Sequence, residues 1–202
     1  MAYGSGLGTV VPAAGLPPQR FTVPGGRVRP PAATDGESGS SFSTELVAIG
    51  VLSIHTRPMR IAVLADTHDQ FPPSLPAQLK QADEIWHLGD VCDPMTLAEF
   101  EQLGRPIFVV QGNCDAQPGW PLARELEREG VRFFLTHIPP PRAPAGCHAV
   151  LHGHTHRPRD EVLHGVRWLN PGGLTHPRGG PPSFAWLNVA DGRIVRWNLV
   201  LL

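Results

Sequence analysis

The sequence predicts an α/β fold, two sheets packed face to face with helices outside, confined to residues 59–202. Three observations carry this reading. From Arg60 onward short apolar runs alternate with helical patterns, as a largely parallel sheet requires. The C-terminal third then switches to strand pairs joined by tight turns, which are hairpin signals. Polar residues also cluster just past each predicted strand, the place where open parallel sheets bind ligands.

Taken in order, Ile61–Ala65 is a continuous apolar run, expected of a strand buried on both faces, and Leu75–Ala82 reads as a short helix. Ile85–Leu88 is the next strand. Asp93 then caps a helix that begins at Pro94, turns Leu97, Phe100 and Leu103 inward and stops at Gly104. Pro106–Val110 is the third strand. Pro121–Glu129 reads as a helix, with Leu122 and Leu126 one turn apart and Gly130 ending it, and leads into a fourth strand at Val131–Leu135. Ala149–Leu151 is a fifth. Glu161–Leu169 forms a hairpin turning at His164-Gly165, and Phe184–Val189 pairs with Arg193–Leu199 around Ala190-Asp191-Gly192.

Composition sets the outer bounds. The chain has 202 residues, 41% of them apolar, enough for one sizeable core. Residues 1–44 are Pro-, Gly- and Ser-rich without apolar periodicity and are expected to be disordered, and Glu45–Ile54 is at most a stray element. We therefore expect an N-terminal extension over residues 1–58, disordered or non-native, with Met59 a candidate biological start. Seventeen basic residues against eighteen acidic give a net charge of −1, which argues against nucleic acid as a partner. Three irregularly spaced cysteines fit neither a disulfide framework nor a CxxC zinc site. With no basic n-region and a longest early apolar run, Leu46–Ile54, about half a membrane span, a cytoplasmic location and no membrane association are expected.

Ten histidines point to metal or acid/base chemistry. Asp66 and His68 follow the first strand, Asp90 the second, Asn113 and Asp115 the third, His137 the fourth, and His154 and His156 the fifth. Asp66, Asp90, Asn113 and His137 recur at about one βα unit. Two Asp, one Asn and four His are too many ligands for one tetrahedral zinc and suit two five- or six-coordinate ions sharing a carboxylate. Two divalent ions bring +4, and two Asp and a bridging hydroxide remove three. The residual positive charge favours a phosphate ester over a neutral substrate.

The ordered set Asp66-x-His68, Gly89-Asp90, Gly112-Asn-x-Asp115, His137 and Gly153-His-x-His156 resembles the calcineurin-like metallophosphoesterase superfamily. Gly112-Asn-Cys-Asp115 together with Asn170-Pro-Gly172 is similar to its small bacterial and archaeal phosphodiesterase branch. The resemblance spans residues 59–202. It implies a four-layer α/β/β/α sandwich of two mixed sheets, with Asp66, His68, Asp90 and His156 on one metal and Asp90, Asn113, His137 and His154 on the other. By the same resemblance Asp90 bridges, and a metal-bridging hydroxide attacks phosphorus in line. Two divalent ions are the implied cofactors, manganese first, with iron, nickel, magnesium and zinc compatible.

Three departures from that pattern matter. Where larger phosphatases of the family carry a leaving-group-protonating His, this chain has Cys114, a weaker acid, which implies slow turnover or good leaving groups. Asp115 is the candidate to orient that acid. His137 is followed by Ile138 and three prolines where the family commonly has Gly, and Pro139–Gly146 is too Pro-rich for the helix that relatives place there. An open pocket follows.

Asp-x-His or Gly-Asp alone most often merely ends a strand, and it is the ordered set, each member at a strand end, that carries the argument. Elsewhere His87, His152 and His164 read as structural, with His152 a candidate partner to a ligand. His148 and His176 stay unassigned. Arg157, Arg159 and Arg178 line a substrate approach or simply face solvent, and Cys92 and Cys147 are plain thiols. Trp168, Trp186 and Trp197 are core or partner-facing, a candidate homodimer face. A small phosphoester is the expected substrate. The rival from another class is a non-catalytic interaction scaffold, because the same fold serves as a trafficking-complex subunit.

Overall fold

The structure, a computed structural model, describes residues 57–116 and 119–202. The expectations for residues 1–44 and for Glu45–Ile54 lie outside the described residues. Strand β1 (Met59–Leu64) is followed by α1 (Leu75–Leu79), β2 (Glu84–His87), a 3-10 turn (Pro94–Leu97), α2 (Ala98–Glu101) and β3 (Ile107–Val109). Then come β4 (Ala123–Arg128), β5 (Val131–Thr136), β6 (Ala149–Leu151), β7 (Arg159–Leu163), β8 (Val166–Asn170), β9 (Ser183–Ala190) and β10 (Arg193–Leu201).

They form two five-stranded mixed sheets, ordered β10-β9-β1-β2-β3 and β4-β5-β6-β8-β7. The first is parallel through β1, β2 and β3, with β9 and β10 added antiparallel. The second is parallel through β5, β6 and β8, with antiparallel edges β4 and β7. The core between them joins Ile61, Val63, Trp86 and Leu88 to Phe133, Leu135, Leu151 and Leu169. On its other face the first sheet presents Ala62, Leu64, Ile85 and Phe184 to Leu75, Leu79, Leu97 and Phe100 of the helical layer. The unbroken apolar run of β1 is explained by these two interfaces, because both of its faces are buried.

Asp93 caps as its position before Pro94 requires, its carboxylate accepting from the Met95 amide at 2.9 Å. Both predicted C-terminal hairpins form, and His164-Gly165 and Asp191-Gly192 take positive φ at both turn positions, the type I′ geometry of two-residue hairpins. The 138–148 connection contains no helix, as its prolines require. Among the described residues every helical segment packs on the first sheet.

One element differs outright. Residues 121–129 are not a helix; Ala123–Arg128 is the edge strand β4, paired antiparallel with β5 from Ala123↔Thr136 to Arg128↔Val131. Arg124, Leu126 and Arg128 are half-buried while Ala123, Glu125 and Glu127 are exposed, a period of two, and Leu122 is 73% exposed rather than inward. Glu129-Gly130, both at positive φ, make a third two-residue hairpin turn. Cross-strand pairing overrides the helical propensity of the Arg/Glu/Leu-rich segment. The parallel βα series therefore ends after three strands, and β5 belongs to the second sheet. No helix among the described residues is long and apolar enough to cross a membrane.

Candidate metal centre

The loops that follow β1, β2, β3, β5 and β6 meet at one end of the sandwich. Beyond β1 and β2 the chain keeps pairing after the strands end, with amides of Asp66, His68 and Asp69 donating to the carbonyls of Gly89, Asp90 and Val91 at 3.0–3.1 Å. Asp66, His68, Asp90, His154 and His156 all stand at positive φ, between 43° and 64°. Left-handed backbone at five non-Gly positions is costly, and its concentration in one place marks a functional centre.

The motif glycines follow from the crowding. A Cβ on Gly112 would lie 2.2 Å from the Asp90 amide nitrogen and Oδ1, and one on Gly89 would lie 2.8 Å from the Gly112 nitrogen and from His137. Those contacts are impossible, so only glycine lets the β2 and β3 loops touch.

All seven predicted side chains come together. Ligand atoms of Asp66, His68, Asp90 and His156 lie within 4.8 Å of one another, with His156 Nε2 3.5 Å from Asp66 Oδ1 and His68 Nε2 3.6 Å from Asp90 Oδ2. The same Asp90 oxygen is 3.3 Å from His137 Nε2, which is also 3.0 Å from Asn113 Oδ1, and His154 Nδ1 is 2.8 Å from that Asn113 oxygen. Asp90 is therefore shared by the Asp66, His68 and His156 cluster and by His137, which continues to Asn113 and His154. The first is largely buried, whereas Asn113 and His154 are exposed at the mouth.

Backbone carbonyls orient the rings. His137 donates from Nδ1 to Leu88 O at 2.8 Å, and His156 donates from Nδ1 to the carbonyls of Thr175 and His176 at 3.1 and 2.9 Å. A ring whose Nδ1 carries the proton turns the Nε2 lone pair inward, as metal-binding histidines do. Asp66 Oδ2 and His68 Nε2 are buried with no hydrogen-bond partner. Unpartnered buried polar atoms are costly, and a cation held by this cluster would remove the cost, so the donor set fits divalent metal.

Electrostatics agree. Burial pushes Asp66 up to about 6, against the pull of His156 and His137. Burial also opposes ionisation of Asp90, but hydrogen bonds from His137 and the Cys114 amide hold its carboxyl well below the usual range. His137 is raised: burial lowers it, and Asp90 and the Leu88 carbonyl more than compensate. A proton on His137 Nε2 satisfies Asp90 and Asn113 when no cation does, and metal binding must expel it.

Asp115 does something other than orient an acid. Its Oδ2 accepts from the amides of Gly112 (2.7 Å) and Asp90 (3.1 Å), and its Oδ1 accepts from the Cys92 amide at 2.7 Å. One buried carboxylate thereby ties the β2 loop to the β3 loop. Asn170 plays the same part for the His154 loop, donating to Gly153 O and Thr155 Oγ1 and accepting from the Gly172 amide. Cys114 is exposed, and burial together with Asp90 raises its thiol, so it keeps its proton.

The remaining polar residues sort by their contacts. His87 is buried, held neutral at about 3 by burial, and bonded to Thr67 Oγ1, while His152 accepts from Arg159 and donates to Gly153 O, steadying the loop that carries His154. His148 accepts from the Arg132 amide, a structural role. Arg159 is taken by Glu161 and His152 and stacks over Trp168, so it does not line the approach. Arg178 lies near enough to His154 for its charge to act on the ring. Cys92 is not a plain thiol: its sulfur is 3.5 Å from His68 Nδ1. Nothing in its sequence position signals that contact, because a lone cysteine two residues past Asp90 has no spacing rule.

Residues 59–192 match the family model for the calcineurin-like phosphoesterase superfamily domain. Phosphodiesterase MJ0936 of Methanocaldococcus jannaschii is 26% identical over 161 residues, spanning 64% of this chain and 93% of the relative. The solved structure of the Escherichia coli phosphoesterase Yfce superposes with a TM-score of 0.57 at 25% identity, covering 69% of this chain and 98% of that one. Entamoeba histolytica Vps29 complexed with zinc shares the fold at 20% identity, TM-score 0.57, over 70% of this chain and 98% of that one. With well over half of its length matched by the family model, and with that family's ordered residues gathered at one end of its two sheets, this chain belongs to the calcineurin-like phosphoesterase superfamily.

Proposed function

We propose that the protein is a metal-dependent phosphoesterase that hydrolyses a small phosphodiester or phosphomonoester at a dinuclear centre. What supports this reading is that Asp90 Oδ2 faces both His68, which clusters with Asp66 and His156, and His137, which leads to Asn113 and His154. Divalent cations bound there, manganese first among Mn, Fe, Ni, Mg and Zn, supply charge that activates water and neutralises phosphoryl oxygens.

The chain's own residues do the rest. Asp66 and Asp90 bring two negative charges, so two cations leave a net positive site that selects an anionic ester. Asn113 and His154, at the exposed rim, face the incoming phosphoryl group, and Arg178 adds positive charge beside them. Cys114 follows Asn113, is exposed, and retains a proton for the leaving oxygen.

The test is hydrolysis of bis-p-nitrophenyl phosphate and of the corresponding monoester by metal-stripped protein reloaded with Mn, Ni, Mg or Zn, alongside Asp90→Asn. Metal-restored diester hydrolysis lost in Asp90→Asn is the expected result. The second reading, an interaction scaffold, draws on the shared fold with Vps29. A folded protein that binds no metal and hydrolyses neither ester would favour it over the enzyme.

A further inference from the structure

The β2 and β3 loops carry two cysteines that the phosphoesterase chemistry does not require as a pair. The sulfurs of Cys92 and Cys114 and a ring nitrogen of His68 all lie within 4.8 Å of one another. Both thiols are free, Cys114 exposed and Cys92 half-buried, whereas Cys147 lies far along the chain beside Arg132 and Glu125. The backbones bearing the pair are fixed against each other by one carboxylate, since Asp115 binds the Cys92 amide through Oδ1 and the Asp90 and Gly112 amides through Oδ2. The Cys114 amide is held in turn by Asp90 Oδ1 at 2.8 Å. The two sulfurs thus approach each other from two clamped loops, within 4.8 Å, the juxtaposition from which a disulfide closes.

From this geometry we propose that Cys92 and Cys114 are an oxidisable dithiol, closed to an intramolecular disulfide by peroxide, which places a redox-modification site at the rim of the metal centre. The Cys114 sulfur attacks a peroxide oxygen; the O–O bond breaks and the thiol's proton passes to the departing hydroxide, giving a sulfenic acid and one water. The second thiol attacks the sulfenic sulfur, an S–S bond forms, and hydroxide leaves with the thiol's proton as a second water. Two electrons pass from the sulfurs to the peroxide, and a dithiol reductant reverses the change. Exposed Cys114 is the sulfur that meets the oxidant and Cys92 the one that resolves it.

The bond removes the Cys114 thiol from the leaving-group side and draws the Cys92 sulfur off His68 Nδ1, where it stands at 3.5 Å. That consequence for turnover rests on the phosphoesterase reading, whereas the bond itself does not. Oxidised protein is expected to lose about tenfold or more of its activity on esters with poor leaving groups, recovered on reduction.

The full chain, loaded with redox-inert zinc, is treated with hydrogen peroxide, alkylated with N-ethylmaleimide, digested and analysed by mass spectrometry, and diester hydrolysis is followed in parallel. A peptide pair cross-linking Cys92 to Cys114, with Cys147 alkylated, is the expected result. It should persist in Cys147→Ser and vanish in Cys92→Ser, whose activity no longer recovers with reductant after oxidation. Three alkylated thiols, or a cross-link through Cys147, would overturn the proposal. If the bond forms and the rate on diesters with poor leaving groups does not change, the site is oxidised without controlling turnover, and the switch is refuted. If the bond forms in a protein without activity on any metal, the phosphoesterase reading fails and the dithiol stands.

Discussion

His137 donates its Nδ1 proton to the carbonyl of Leu88 across 2.8 Å, tying a side chain of the second sheet to the end of a strand of the first. The bond fixes the tautomer, so Nε2 faces Asp90 and Asn113. The two sheets thus share one centre, and their relative position sets its geometry.

Removing that nitrogen should empty one half of the centre only. On the proposed two-ion reading, the set of Asp66, His68, Asp90 and His156 is intact in His137→Ala, so metal content by mass spectrometry is expected to fall from two ions toward one per chain. Diester hydrolysis should fall about 100-fold or more. Two retained ions with unchanged activity would remove His137 from the site.

Metal affinity should depend steeply on pH. Asp66, raised to about 6, and His137, also raised, must both lose protons before a cation binds. Below about pH 6 the apparent affinity is expected to drop roughly tenfold per pH unit for Asp66 alone, and more steeply with His137. For the metal-free fold the sign is the reverse. A carboxyl raised by folding contributes stability at low pH that is lost as pH rises through about 6, so metal-free Asp66→Asn should be more stable than the parent at pH 8, by on the order of 2 kcal/mol. Titration calorimetry across pH 5–8 and denaturant unfolding of the stripped proteins check the two halves.

The thiol at the rim makes a kinetic prediction. Because Cys114 stays protonated but is a weak acid, Cys114→His should keep metal and accelerate esters with poor leaving groups, flattening the dependence of rate on leaving-group pKa. An unchanged or lower rate across a leaving-group series would take the acid role from Cys114.

How far the sequence was legible depends on range. Every ligand candidate could be read because it directly follows an apolar strand run, and the Gly of each motif marks a close backbone approach. The strand Ala123–Arg128 escapes the pattern because Leu122 and Leu126 fit a helical turn, while the stronger signal, the two-residue turn at Glu129-Gly130, equally fits a helix stop. The partners of Asp115 are illegible for a different reason. Its bonds to the Asp90 and Cys92 amides cross 23 to 25 residues of sequence, and no local pattern reports them.

The domain boundary can be tested directly. Residues 59–202 include all ten strands of the described residues and every candidate ligand, and starting at Met59 removes the Arg57–Asp83 ion pair, an exposed contact, while Asp83 keeps the Arg60 amide at 2.8 Å. The fragment is expected to be soluble, to bind the same metals and to match the full chain in diester hydrolysis. An insoluble or inactive fragment would show that the N-terminal extension belongs to the functional unit.

Asp115 offers the sharpest separation of positioning from ligation. Its carboxylate touches no metal-facing atom, yet it sets where Asp90 and Gly112 sit, so Asp115→Ala leaves three amides without their acceptor. Stability should fall by on the order of 3 kcal/mol, since each lost bond had a charged partner. Turnover should fall about 100-fold, because a displacement near 1 Å at reacting groups has that effect. Asp115→Asn keeps one acceptor oxygen and should lie between the two. A variant that loses stability but keeps full turnover on the reloaded enzyme would show that Asp90 and Asn113 hold their places without Asp115.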